Sequence, residues 1–129
     1  MRVVKNKVFA RFAERNGIED RQLCDAVHRA ERGLIDADLG GGVIKQRVAR
    51  PGKGRSGGFR TIVLFHTQER AFFAHGFAKN QKANLIKTEL QDFKALAKYM
   101  LILNEAQLKL VIEAKEIIEV KCNDENIYK

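Results

Sequence analysis

Between Val43 and Ala78 the apolar residues are spaced by two, whereas before and after this stretch they recur every three or four positions. This switch of period constrains the chain more than any other feature, because a pattern that buries one side of a helix leaves a strand half wrong on both faces. Ile44 and Val48 alternate with Lys45 and Arg47 from Val43 onward, predicting a strand with one covered and one wet face. Phe59 to Phe65 predicts a second strand, with Phe59, Thr61, Val63 and Phe65 on one face and Arg60, Ile62 and Leu64 on the other. After a turn at Thr67-Gln68-Glu69-Arg70, Ala71 to Ala78 completes a meander. Pro51 to Gly58 holds four glycines and reads as a basic, mobile loop.

Helical spacing frames this meander. Val3 and Val4 open as a short strand; Val8, Phe9 and Phe12 then mark a first helix that stops at Asn16-Gly17. A second helix is predicted from about Glu19 to Arg32, with Leu23, Val27 and Ala30 inward and Gly33 at its end. Leu34 to Gly42 reads as a loop. Beyond the meander, Ile86, Leu90, Phe93, Ala97 and Met100 stripe a long helix, and Asn104 with Gln107 forms a capping box for another. Ile117 to Val120 is a candidate last strand, followed by a loose tail after Cys122. The expectation is one α+β domain over residues 1–129, with helices packed on one face of an antiparallel sheet and the other face open to a ligand.

The net charge of +8 is not spread evenly. From Leu39 to Lys87 there are ten basic residues and one acid, Glu69, a balance of +9; the remaining fourteen basic and fifteen acidic residues give −1. Such segregation points to a polyanionic partner rather than to a solubilising surface. No apolar run has the length of a signal-peptide core or a membrane span, so a soluble, unexported, cytoplasmic chain without membrane association is expected. Cys24 and Cys122 belong to no metal-binding or redox spacing and read as small buried hydrophobes in a reducing compartment.

The chemistry is narrowed by what is missing. Two-metal nucleases need clustered carboxylates, and the basic region has only Glu69; Asp36 and Asp38 read as turn formers, so no metal or other cofactor is expected. Gly52 and Gly57 have P-loop spacing, but Gly58 stands where the phosphate-binding lysine belongs. Neither Ser56 nor either cysteine has a base beside it in sequence. RNA carries its own nucleophile, the 2′-hydroxyl, so cations that orient the phosphate, move two protons and neutralise the phosphorane suffice to cut it. Lys45 and Arg47 share one strand face and Arg60 comes from the next strand, a set able to surround one phosphate. Arg60 is the expected transition-state stabiliser, and Lys45 or Lys53, crowded by other cations, the expected base. Arg50, Arg55 and Arg70 read equally well as surface charges. His75, between Phe73 and Phe77, fits a satisfied half-buried histidine better than a catalyst, and Phe59 and Phe72 fit a core better than base-stacking platforms.

Residues 52–65, Gly-Lys-Gly-Arg-Ser-Gly-Gly-Phe-Arg-Thr-Ile-Val-Leu-Phe, followed by Phe77-Ala78-Lys79-Asn80, resemble the RelE/HigB family of toxins from bacterial type II toxin–antitoxin modules. The Ser-Gly-Gly-aromatic-Arg strand opening is the most specific element, and the similar order of helices extends the resemblance over nearly the whole chain. It implies a microbial-ribonuclease-like fold and cleavage of mRNA, commonly in the ribosomal A site, leaving a 2′,3′-cyclic phosphate and a 5′-hydroxyl. Translation is thereby inhibited. It also implies a cognate antitoxin, often with its own helix-turn-helix. Arg60 matches the family's phosphate-stabilising arginine, Lys45 and Arg47 lie where such toxins carry basic residues, and Lys79 matches the basic residue ending the last meander strand. Asn80 stands where better-known members have arginine, and Ile86 stands near a position that is tyrosine in several. The general-acid and base-binding roles therefore fall open to Lys53, Arg55, Lys82 or His75, with Arg50 a further RNA contact. Two alternatives remain from the sequence: a gyrase-inhibiting toxin of the related ParE type, and an RNA-binding protein without activity.

Overall fold

A computed structural model describes residues 1–50, 54–78 and 87–122, with only the backbone described at Arg50 and residues 54–57. In chain order the elements are β1 (Arg2–Asn6), α1 (Lys7–Arg15), α2 (Asp20–Glu31), β2 (Ala37–Gly40), β3 (Val43–Arg50), β4 (Gly54–His66), β5 (Arg70–Ala78), α3 (Lys87–Met100), α4 (Glu105–Glu113) and β6 (Ile117–Glu119). The strands form one sheet in the order β2-β3-β4-β5-β1-β6. Every neighbouring pair is antiparallel except β1 with β5, which run parallel. Among the described residues no helix is long and apolar enough to cross a membrane.

Local chemistry sets the element ends. The Asn6 side chain accepts from the Phe9 amide at 2.7 Å and opens α1; Gly17, at φ 67°, follows its end. Gln22 accepts from the Glu19 amide at 2.7 Å ahead of α2. The Asn104–Gln107 capping box forms as expected, with both side chains accepting at 2.8 Å.

The α+β class holds, but the helices are not confined to one face. On the first face Ile44, Val48, Phe59, Val63, Phe65, Ala71 and Phe73 meet Phe9 and Phe12 of α1 and Leu23, Val27 and Ala30 of α2. On the second, Val4, Val43, Ile62, Leu64, Phe72 and Phe77 meet Ala97 and Met100 of α3 and Leu108 of α4. The stripe on α3 is apolar because it needs a sheet face of its own, and the first was already filled. Among the described residues, the part of the sheet left without a helix over it is thus one end of the second face.

Three further expectations change. Residues 37–40, read as loop, form the short edge strand β2, which reaches β3 through a turn at Gly41 and Gly42, both at positive φ. The basic segment 54–58, also read as loop, is the start of β4, while residues 51–53 and the tail from 123 lie outside the described residues. Cys24 and Cys122 are bonded to each other, with Cα atoms 5.6 Å apart across 98 positions. They close the segment after β6 onto α2, where Val120 is in the core and the Lys121 amide donates to Asp20.

Pairing of β4 with β5 shifts between Ile62 and Val63: Val63 lies opposite Phe73 but Ile62 lies opposite His75. Ala74 is therefore an extra residue, a bulge whose carbonyl accepts from the Asn6 side chain at 2.9 Å. Strict alternation would put Phe73, His75 and Phe77 on one face. The bulge leaves Phe73 on the first face and moves His75 and Phe77 to the second. Gly76 then falls beneath α1, where an added Cβ would stand 2.4 Å from the Phe12 ring. Gly76→Val is expected to cost about 2–3 kcal/mol by overpacking, read as a lower urea midpoint with unchanged slope.

Candidate functional site

On the second sheet face the side chains form successive rows across β3, β4 and β5. Val43 and Leu64 lie in a row covered by α3. The next row is Lys45, Ile62 and His75, and the one beyond is Arg47, Arg60 and Phe77. Lys45, Arg60 and His75 are half-buried, Arg47 is exposed, and Phe77 is buried. The His75 ring lies 5.9 Å from Phe77 and 6.0 Å from Phe93 of α3, so an aromatic group closes one side of the cationic rows.

Arg47 and Arg60 are direct cross-strand partners. The Arg47 amide donates to Asp36 Oδ2 at 2.6 Å and its carbonyl accepts from Arg29 Nη2, so both groups point away from β4. The two arginines are thus a non-hydrogen-bonded pair, the closer of the two antiparallel pairings. Like charges held directly opposite one another destabilise a sheet by some tenths of a kcal/mol, a cost that a bound anion removes.

The register that creates this opposition depends on Gly58. An added Cβ there would stand 2.1 Å from the Val48 carbonyl oxygen, where β3 and β4 shift register between Val48 and Arg50. The glycine of the Ser-Gly-Gly-Phe-Arg segment permits a close backbone approach, which puts Phe59 opposite Val48 and Arg60 opposite Arg47.

Of the sequence-derived candidates, Lys45, Arg47, Arg60 and His75 come together on one face. Arg50 and Arg55 lie on β3 and β4 toward the same end, and Lys53, Lys79 and Lys82 lie outside the described residues. Arg70 leaves the group: it is 6% exposed, donates to the Met100 carbonyl at 2.8 Å and thereby ties β5 to the end of α3. His66 pairs with Glu69 in the β4–β5 turn, far along the strand from Arg60. Phe59 and Phe72 are core residues, each 2% exposed. Asp38 accepts from the Gly40 amide two residues on, as a turn former does, whereas Asp36 accepts from the Arg47 amide on β3, outside any local turn. Among the described residues no group of three or more His, Cys, Asp or Glu is placed to hold a metal ion. An open groove of about 540 Å³ beside α4 and β6 is lined by Glu105, Glu113 and Glu119 against Arg2 and Lys109, the wrong balance for a polyanion.

Sequence reasoning missed Phe93 as a neighbour of His75, and missed Arg29 behind Arg47. Phe93 was visible only as part of a core stripe. Arg29 carried a usable signal: it lies three residues beyond Ala26, on the buried side of α2.

A small α+β protein whose mostly antiparallel sheet presents opposed arginines at one end is the class defined by this architecture. The family model for the RelE toxin of the RelE / RelB toxin-antitoxin system matches residues 1–120, and the chain belongs to that family. It is the toxin member of such a system, with an antitoxin as its counterpart. A search of the curated proteins finds no match to the chain.

Proposed function

We propose that the chain inhibits translation as a metal-independent endoribonuclease, cutting mRNA held by ribosomes in the cytoplasm. The observation that carries this reading is the Arg47–Arg60 opposition with Lys45 one row away, an arrangement that makes sense around a phosphate. The ribose 2′-oxygen attacks the adjacent phosphorus, the 5′-oxygen leaves, and the products are a 2′,3′-cyclic phosphate and a 5′-hydroxyl. Arg60 and Arg47 hold the non-bridging oxygens and neutralise the phosphorane. Lys45 and His75 flank Ile62 from β3 and β5, two strand spacings or roughly 10 Å apart at the backbone, so one can face the attacking oxygen and the other the leaving oxygen. Lys45 takes the proton from the 2′-hydroxyl, and His75 gives one to the 5′-oxygen. Lys79, Arg50, Lys53, Arg55 and Lys82 supply contacts to flanking phosphates. The antitoxin counterpart carries a helix-turn-helix and silences the toxin when bound.

His75→Gln is expected to lower kcat by about two orders of magnitude, with KM within a few-fold, because a proton donor is lost while the half-buried ring site stays filled. Single-turnover cleavage of a labelled message measures this. The reading as a whole is tested by brief induction in growing cells followed by mapping of RNA 5′ ends and inspection of the chromosome. New ends within messages and an intact chromosome are expected. Broken DNA with whole transcripts would show a gyrase poison instead, and arrest with both intact would show binding without cleavage.

A further inference from the structure

We propose that Arg29 and Asp36, neither of which reaches the cationic face, are positioning residues that set its geometry by clamping the backbone of Arg47. The inference rests on the catalytic reading of that face. β2 accompanies β3 only as far as the pairing of Ala37 with Lys45. Beyond it, among the described residues, the outer edge of β3 has no strand partner in this sheet, and the Arg47–Arg60 row begins there.

Side chains stand in for the missing strand. The Asp36 carboxylate accepts the Arg47 amide at 2.6 Å, and the Arg29 guanidinium donates to the Arg47 carbonyl. Both bonds are charge-assisted, stronger than the ladder bonds they replace. Arg29 is 7% exposed and held in turn by Asp25 at 3.3 Å. The preceding residue is fixed from the same side. Gln46, 1% exposed, donates to the carbonyls of Ala26 and Leu34 at 3.0 Å each and accepts from the Asp36 amide at 3.0 Å. On the other side of β3, the Thr61 hydroxyl donates to the Gln46 carbonyl at 2.7 Å. An edge strand held only by its inner neighbour can twist away; this one is pinned at the residue whose side chain must face Arg60. The clamp thus fixes the stretch of β3 from which the Arg47 side chain stands opposite Arg60, and a displacement of an ångström there is enough to lose catalysis.

The test is a double-mutant cycle on mRNA cleavage. Asp36→Ala is expected to lower kcat by about tenfold with KM changed less than threefold. Asp36→Asn, which keeps an acceptor oxygen, is expected to restore activity to within about threefold of the wild type. In an Arg47→Ala background, Asp36→Ala should cost less than about twofold, since the group it positions is gone. Unchanged activity of Asp36→Ala, failure of asparagine to rescue, or a full tenfold loss in the Arg47→Ala background would each overturn the proposal, the last by showing a global effect. If the wild-type protein binds message without cutting it, the catalytic reading fails on its own. The same cycle measured on the Kd for that message then decides the clamp by the same three outcomes.

Discussion

Replacing Arg60 with alanine is expected to lower mRNA cleavage by about two to three orders of magnitude while leaving the protein folded and slightly more stable. The catalytic loss follows from removing a fixed, permanently charged donor pair aimed where charge develops in the transition state. Arg60→Lys is expected to recover little of it, because an ammonium group cannot hold two phosphate oxygens in one plane. The gain in stability follows from relief of the repulsion with Arg47, and amounts to less than about 1 kcal/mol. Kinetics with ribosome-bound message and urea titration measure the two effects on the same sample. A residue that merely completed the sheet would lose stability and activity together.

Breaking the Cys24–Cys122 bond is expected to have the largest effect on stability. The bond joins positions 98 residues apart, and closing a loop of that size removes enough unfolded-chain entropy to stabilise the fold by about 4–5 kcal/mol in the chain-entropy model. Measured disulfides often deliver less. Even half that value lowers Tm by roughly 10 °C for a domain of this size. Melting curves of the oxidised protein, the reduced protein and Cys122→Ser should therefore separate, with the last two alike. Coincident curves for all three would show that the contacts of Val120 and the Lys121–Asp20 bond already hold the segment without the sulfurs.

Much of this arrangement was legible before any coordinates. The alternation from Phe59 to Phe65 assigned every side chain of that stretch to its correct face, because β4 is covered on both sides and a slip of one residue would bury Arg60. Lys45 and Arg47 were placed on one face by the same argument. His75 was not, because the Ala74 bulge that moves it is fixed by the bond to Asn6, 68 positions away. Arg70 looked like part of the basic surface; its burial depends on the end of α3, which local sequence cannot place. Segment 54–58 looked like a loop for its glycines, yet Gly58 is there to admit a neighbouring backbone, and close approach leaves no mark on hydrophobic period. The disulfide was hidden for a plainer reason. Two cysteines outside any known spacing can meet only once the fold has brought β6 and α2 together.

The central claim is that fixed cations let a ribose hydroxyl break its own strand, and the chemistry of the RNA ends tests it most directly. Ribosomes are loaded with a message in which the ribose at the mapped cut is replaced by deoxyribose, beside an unmodified control. The expected result is that the control is cut to a 2′,3′-cyclic phosphate and a 5′-hydroxyl while the substituted message stays whole. Cutting of the deoxyribose message, or 5′-phosphate ends on the control, would contradict the mechanism.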